Sequence, residues 1–99
     1  MSDLHVVATM VSREGKADAL RDALLPATQA FREEEGCLSY ALLEDQTRPG
    51  RFMTFEHWRD RAALDVHMQS PAMKALAPRI PELLGEALKQ DFLDARLVL

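Results

Sequence analysis

The chain of 99 residues lacks several features that mark particular classes of protein. It has a single cysteine, Cys37, so no disulfide can form within the chain, and we expect a reducing compartment. No run of Lys and Arg is longer than two and the net charge is −4, which argues against a nucleic-acid or anionic-membrane surface. No apolar run approaches about 18 residues. The first residues lack the basic-then-apolar order of a signal peptide, so the cytoplasm is the expected location.

Sequence motifs for common cofactors are also missing. There is no glycine-rich phosphate loop and no G-x-S-x-G motif. The histidines at 5, 57 and 67 do not have the spacing of metal ligands, and no second cysteine could assist them. We therefore predict neither a metal site nor a bound cofactor.

The composition is that of an ordinary globular protein, with 47% hydrophobic and 28% charged residues. The length predicts one domain over residues 1–99. A domain of this size buries roughly 60–65% of its unfolded surface, so a partner subunit would help its modest core.

Hydrophobic periodicity and turn residues predict four strands and two helical regions. The predicted strands are Leu4–Ser12, Cys37–Glu44, Arg51–Trp58 and Gln90–Leu99, and the first predicted helix is Lys16–Glu35.

The first helix carries an apolar stripe at helical spacing, formed by Ala17, Leu20, Leu24, Ala27 and Phe31. Pro26 lies within this pattern and predicts a kink or a local break. Gly36 is expected to end the helix as its C′ residue.

The second helical region begins with Asp60 as N-cap and extends to about Gln69. Ser70 and Pro71 then predict the N-cap and first position of another helix. Interruptions are expected near Pro78 and Pro81.

The order β-α-β-β-α-β predicts an α+β, ferredoxin-like subunit, a four-stranded antiparallel sheet with helices on one face. Strands one, three and four carry apolar residues at both odd and even positions. The face without helices is therefore expected to bind a second copy of the chain, giving a homodimer through the sheet.

Three ordered segments resemble the antibiotic biosynthesis monooxygenase (ABM) domain family. They are E-G-C-L-S-Y at 35–40, R-F-M-T-F-E-H-W at 51–58 and A-L-D-V-H-M-Q-S-P-A-M-K at 63–74. The combination E-G-C-x-x-Y, then E-x-W, then H-x-x-S/T-P is specific, and the resemblance extends from the first predicted strand to the last.

The resemblance implies a dimeric α+β barrel, often with the terminal strand reaching the partner subunit. It implies small aromatic or quinol-like substrates, and oxygenation by O2 without metal, flavin or haem. The superfamily also contains haem-degrading enzymes and a phosphate isomerase, so the fold alone does not fix the reaction.

His67 is the first candidate catalytic residue. It shares a helix face with Ala63 and Leu64, so the imidazole should point inward. Its ordinary pKa of about 6.5 suits proton exchange near neutral pH. The alternative is a core histidine satisfied by one hydrogen bond.

Glu56 and Trp58 lie on one face of the third predicted strand. An inward Glu56 needs a partner, for which His67 is a candidate; the alternative is a structural carboxylate paired with arginine or backbone. Trp58 could form a flat wall for an aromatic ligand, or belong to the core or an interface. The sequence leaves open which face of this strand lines a pocket.

Further pocket candidates are Tyr40, a phenolic donor on the neighbouring strand, together with Leu64 and Met73. For all three the alternative is a core or interface role. Cys37 is interpreted as buried and inert.

Two other activities of the superfamily make different demands on the sequence. The haem-degrading branch has an Asn, a Trp and, about ten residues later, an axial His, where this chain has Ala8, His67 and Ala77, so haem cleavage is not expected. An isomerase needs a phosphate site, for which Lys74 and Arg79 are candidates, although surface solvation is their default role. The prediction is a cofactor-independent quinol or polyphenol monooxygenase, with an isomerase or a non-catalytic binding protein as the alternative.

Overall fold

The computed structural model describes residues 3–99, so Met1 and Ser2, which formed part of the signal-peptide argument, lie outside the described residues. The strands are β1 (Leu4–Val11), β2 (Cys37–Glu44), β3 (Arg51–Trp58) and β4 (Lys89–Leu93). The helices are α1 (Ala17–Arg32), α2 (Arg61–Met68), α3 (Pro71–Leu76) and α4 (Ile80–Leu83), with a 3-10 turn at Ala77–Arg79 between the last two. Within residues 3–99 no helix has the length and apolarity to cross a bilayer.

The four strands form one antiparallel sheet in the order β2-β3-β1-β4, which confirms the predicted fold class. Glu56 on β3 is registered with Val6 on β1 and with Tyr40 on β2. Residues paired in this way point to the same side of a sheet. These three side chains therefore share one face.

The two sheet faces have different surroundings. The inner face, which the helices cover, carries the buried side chains of Val6, Ala8, Met10, Phe52, Thr54, Glu56 and Trp58. The outer face carries the alternate residues, among them Val7, Leu43, Met53, Phe55 and His57. Phe55 is 53% exposed there, and Leu43 is 43% exposed.

α1 buries Leu20, Ala23, Leu24 and Phe31 against the sheet. It ends at Arg32, three residues earlier than predicted, so Gly36 is not its C′ residue. Gly36 instead has φ +89 in a turn in which Cys37 N–H donates to the Glu34 carbonyl at 3.1 Å. The chain leaves the helix early because it must reverse into β2.

Pro26 does not interrupt α1, which continues unbroken from Ala17 to Arg32. Proline removes one intrahelical hydrogen bond, here to the carbonyl of Asp22. Both residues are exposed, so water can satisfy that carbonyl.

The helix starts predicted after β3 are confirmed. The Asp60 carboxylate accepts from Ala63 N–H at 2.8 Å, and the Ser70 hydroxyl accepts from Met73 N–H at 3.2 Å. The region near Pro78 and Pro81 breaks into the 3-10 turn and α4, also as predicted.

The last strand is shorter than predicted. β4 ends at Leu93, and residues 94–99 are not part of the sheet. Leu93 is registered with His5, and β1 begins at Leu4, so a longer β4 would find no strand beside it in the same protomer. The apolar residues at the end of the chain predicted a longer strand, but β1 offers residues 94–99 no further positions to pair with.

Candidate active site

The inner face of β3 carries a connected polar network. Thr54 Oγ1 accepts from Ala8 N–H at 3.0 Å and donates to Glu56 Oε2 at 2.6 Å. The indole N–H of Trp58 donates to Glu56 Oε1 at 2.9 Å. Both oxygens of this buried carboxylate therefore have donors, which offsets much of the cost of burying it.

His67 lies on the inward face of α2, one turn after Ala63, and is 2% exposed. Its imidazole packs between two aromatic rings: Phe31 at 4.5 Å in a T-shaped geometry, and Trp58 at 4.5 Å in a tilted one. Nδ1 lies 2.8 Å from Glu34 Oε1. The hydrogen bonds among residues 3–99 leave Nε2 without a protein partner.

The turn between α1 and β2 places Glu34 beside His67. A Cβ at Gly36 would come within 2.5 Å of Ala63 Cβ, so this turn lies directly on the start of α2. Ala63 and His67 are four residues apart and occupy the same helix face. Gly36 therefore allows the close approach that brings Glu34 to the imidazole.

A cavity of about 70 Å³ lies between the inner sheet face and the helices. Its polar lining residues are Thr28, Tyr40, Thr54, Glu56, His67 and Gln90. The remaining wall is apolar and includes Met10, Leu24, Phe31, Met73 and Leu88. A few polar groups converging in an apolar cavity are typical of a small-molecule site.

Tyr40 faces this cavity from β2. Its ring lies 5.7 Å from Phe31 and 6.5 Å from His67. Burial, and then the negative charge of Glu56, raise the pKa of the Tyr40 phenol above its ordinary value. The hydroxyl therefore stays protonated and can donate a hydrogen bond.

The cavity brings together four of the six predicted site residues: Tyr40, Glu56, His67 and Met73. Trp58 and Leu64 are outside its lining and are 0% and 2% exposed. Trp58 stands behind the site, where it holds Glu56 and packs on the imidazole.

The predicted pairing of His67 with Glu56 is replaced by a different one. Glu56 is bound by Thr54 and Trp58, while His67 is bound by Glu34. Sequence reasoning missed Glu34, which lies 33 positions before His67. The available signal was a run of three glutamates at 33–35 next to a glycine, which does not distinguish one carboxylate from the others.

The remaining candidates lie apart from the cavity. Cys37 is buried, and burial raises the pKa of its thiol, in line with the predicted inert role. Lys74 and Arg79 are exposed and do not line the cavity. In the part of the chain from Asp3 onward, no three His, Cys, Asp or Glu side chains meet in a way that could hold a metal ion.

Comparison with known proteins gives consistent matches. The sequence model of one family, described as "Antibiotic biosynthesis monooxygenase", matches residues 3–79. "Uncharacterized protein sll1783" of Synechocystis is 46% identical over 70 residues, covering 67% of this chain and 48% of that protein. The chain thus matches about half the length of this relative.

Two further relatives match over most of their length. "Putative monooxygenase Rv0793" of Mycobacterium tuberculosis is 37% identical over 83 residues, covering 84% of this chain and 81% of that protein. Its solved structure has a TM-score of 0.89 and covers 99% of this chain and 98% of that chain. "Probable quinol monooxygenase YgiN" of Escherichia coli is 29% identical, covering 95% of this chain and 92% of that protein.

Proposed function

This chain belongs to the antibiotic biosynthesis monooxygenase family, and on that premise we propose that it oxidises a small quinol or polyphenol with O2, without a cofactor. The names of two relatives support a monooxygenase, and one of them names a quinol. The observation that carries the proposal is the His67 imidazole, held by Glu34 through Nδ1 while the ring lines the cavity.

The first step we propose is removal of a phenolic proton by His67 Nε2. A deprotonated hydroxyaromatic is electron-rich and can pass an electron to O2 directly. Tyr40, kept protonated by its raised pKa, donates to the substrate oxygen as charge develops. Glu56, fixed by two donors, accepts from a second substrate hydroxyl.

The later steps conserve atoms and electrons. Semiquinone and superoxide combine at a ring carbon to give a hydroperoxide, and loss of water leaves a hydroxyquinone. A quinol and one O2 thus give one hydroxyquinone and one water. The quinol supplies all the electrons, and the apolar wall keeps bulk water from the intermediates.

The cavity size favours a single-ring substrate. A cavity needs a volume of roughly 10–15 Å³ to hold one water molecule, and pockets for drug-sized ligands measure about 300–1,000 Å³. The cavity of about 70 Å³ lies near the lower end of this scale and below the roughly 150 Å³ that holds a benzene ring, so even a single-ring substrate requires side chains of the wall to move.

We also propose that two copies pair through their outer sheet faces. Met53, Leu43 and Phe55 form an apolar surface there, unlike the charged surface of an isolated small domain. Leu97 and Val98 are each 77% exposed in the segment beyond β4, where a partner could cover them. Sedimentation of Phe55→Glu should show single chains with an unchanged circular-dichroism spectrum; dimers that persist in this variant would refute the pairing.

The enzymatic proposal is tested with an oxygen electrode and a panel of single-ring hydroquinones. His67→Ala should lower turnover about 100- to 10,000-fold, the range for a general base, while the oligomeric state is unchanged. Met68→Ala is the matched control, because Met68 is the next residue on α2 and is 44% exposed.

Catalase added at the end of the reaction separates monooxygenation from simple oxidation. A reaction that makes hydrogen peroxide would return oxygen, whereas the proposed one returns none. Full activity in His67→Ala would remove the imidazole from the mechanism. Ligand binding without any oxygen uptake by the unmodified protein would favour a non-catalytic binding protein or an isomerase.

A further inference from the structure

We infer that Glu34 is a positioning residue, which sets the His67 tautomer and connects the imidazole to a surface hollow outside the cavity. This inference deepens the proposed function and rests on it for its kinetic consequences. Its structural part can be tested without any turnover.

The hydrogen bond from His67 to Glu34 fixes the tautomer of the imidazole. Glu34 Oε1 lies 2.8 Å from Nδ1, and an ionised carboxylate can only accept a hydrogen bond. Nδ1 must therefore carry the proton, which leaves the lone pair of neutral His67 on Nε2. That is the nitrogen a base in the cavity needs.

Glu34 is itself largely buried. Its side chain is only 16% exposed, and Oε2 is buried without a hydrogen-bond partner among residues 3–99. A buried carboxylate oxygen without a donor is costly, so its retention needs an explanation. The explanation we infer is that this carboxylate stabilises the positive charge that forms on His67 during proton transfer.

Glu34 also lies between His67 and the surface. Glu34 also lines a shallow surface hollow together with Glu35, Asp65, Gln69 and Ser70. His67 thus lines the cavity, while Glu34, the partner of its Nδ1, lines this acidic hollow. A proton taken from the substrate at Nε2 can be balanced by release of the Nδ1 proton to Glu34, and from there to water.

Other ionisable groups around His67 do not duplicate Glu34. Glu56 and Tyr40 face the same cavity from the sheet, and Glu56 is held by Thr54 and Trp58 and makes no hydrogen bond to His67. The rings that clamp the imidazole, Phe31 and Trp58, carry no charge.

The kinetic test compares Glu34→Gln with Glu35→Gln. Glutamine keeps the size and one acceptor of Glu34 but carries no charge and takes up no proton. By analogy with the partners of metal-bound histidines, whose loss costs about 10- to 100-fold, we expect kcat to fall by about that factor with KM unchanged. Glu35→Gln, which alters the same hollow without touching His67, should behave as the unmodified protein.

The second measurement is the nitrogen-15 spectrum of the histidines, with His67 assigned by its absence in His67→Ala. The neutral imidazole should be the Nδ1–H tautomer in the unmodified protein and in Glu35→Gln, and a tautomer mixture in Glu34→Gln. An Nε2–H tautomer in the unmodified protein, or equal kinetic losses in the two glutamine variants, would overturn the inference. If the unmodified protein consumes no oxygen, the proposed function fails and the spectrum alone decides the role of Glu34.

Glu34→Asp covers the case in which Glu34→Gln does not fold. Aspartate keeps the charge but shortens the reach, so a folded Glu34→Asp with a tautomer mixture supports the inference, and one with an unchanged spectrum and unchanged kcat contradicts it.

Discussion

Each face of β3 carries residues that invert the usual distribution of polar and apolar side chains, although Phe52 and Trp58 keep the expected apolar inner positions. The inward positions include Thr54 and Glu56, which are 3% and 6% exposed. The outward positions include Phe55, which is 53% exposed. A sheet with one face in water normally shows the opposite alternation, apolar inside and polar outside.

The inversion has a different cause on each face. Buried polar groups are tolerated inside because they bond one another, as Thr54, Glu56 and Trp58 do, and such networks are most useful where chemistry needs them. Exposed aromatic groups outside are tolerated when another surface covers them. The comparison teaches that alternate residues of one strand can serve both the candidate site and the proposed interface.

The largest expected effect separates two phenylalanines on the same strand. Phe52 is 1% exposed on the inner face, and Phe52→Ala should lower the free energy of unfolding by about 3–5 kcal/mol. Phe55→Ala on the outer face should lower it less, because its loss affects association more than the protomer core. Urea unfolding at several protein concentrations measures the free energy of unfolding of both variants. Equal losses for Phe52→Ala and Phe55→Ala at every concentration would contradict the expected difference between the two faces.

The next effect concerns the turn at Gly36, which packs on α2. Gly36→Ala combines a positive φ with a contact of 2.5 Å to Ala63, whereas Gly15→Ala, at φ +78, meets no atom within 4 Å. We expect about 1–2 kcal/mol for the conformation alone at Gly15, and about 1–3 kcal/mol more at Gly36 from overpacking. Thermal unfolding checks this, and a smaller loss at Gly36 than at Gly15 would mean that the turn does not pack on α2.

The smallest effect is a pH dependence of stability that arises from Glu44, the last residue of β2. Hydrogen bonds from Arg21 and from Gly50 N–H lower the pKa of Glu44 below its ordinary value. A carboxylate whose pKa is lowered by folding stabilises the folded state when it is ionised. This contribution is complete at pH values above the ordinary pKa of the group, and it is lost as the pH falls through the lowered pKa. Glu44→Gln should therefore flatten the acid side of the stability profile.

The control for this pH effect is Asp18→Asn, which removes the more exposed partner of the same arginine. It should change the acid profile less than Glu44→Gln does. Equal flattening in the two variants would assign the effect to Arg21 rather than to Glu44.

Local patterns were sufficient to predict much of this fold. The caps at Asp60 and Ser70 depend on neighbours three residues away, and both were predicted correctly. The shared face of Glu56 and Trp58 follows from strand alternation alone. The inward direction of His67 follows from its spacing to Ala63 and Leu64.

Three of the differences from prediction depend on contacts between distant segments. The end of β4 is set by where β1 begins, which no pattern within residues 90–99 contains. The partner of His67 is set by how the turn at Gly36 packs on α2. Whether Trp58 lines the cavity or supports it is decided by packing depth, which strand alternation cannot resolve.

The most direct measurement of the central claim uses the methionine methyl groups as reporters of the two faces. Met10 and Met73 line the cavity, Met53 lies on the outer face, and Met68 is exposed on α2. Titration with para-methoxyphenol, a single-ring quinol analogue, should shift the carbon-13 methyl signals of Met10 and Met73 saturably and leave those of Met53 and Met68 in place. Saturable shifts at Met53 with none at Met10 and Met73 would put the ligand on the outer face and contradict the assignment of the inner cavity as the site.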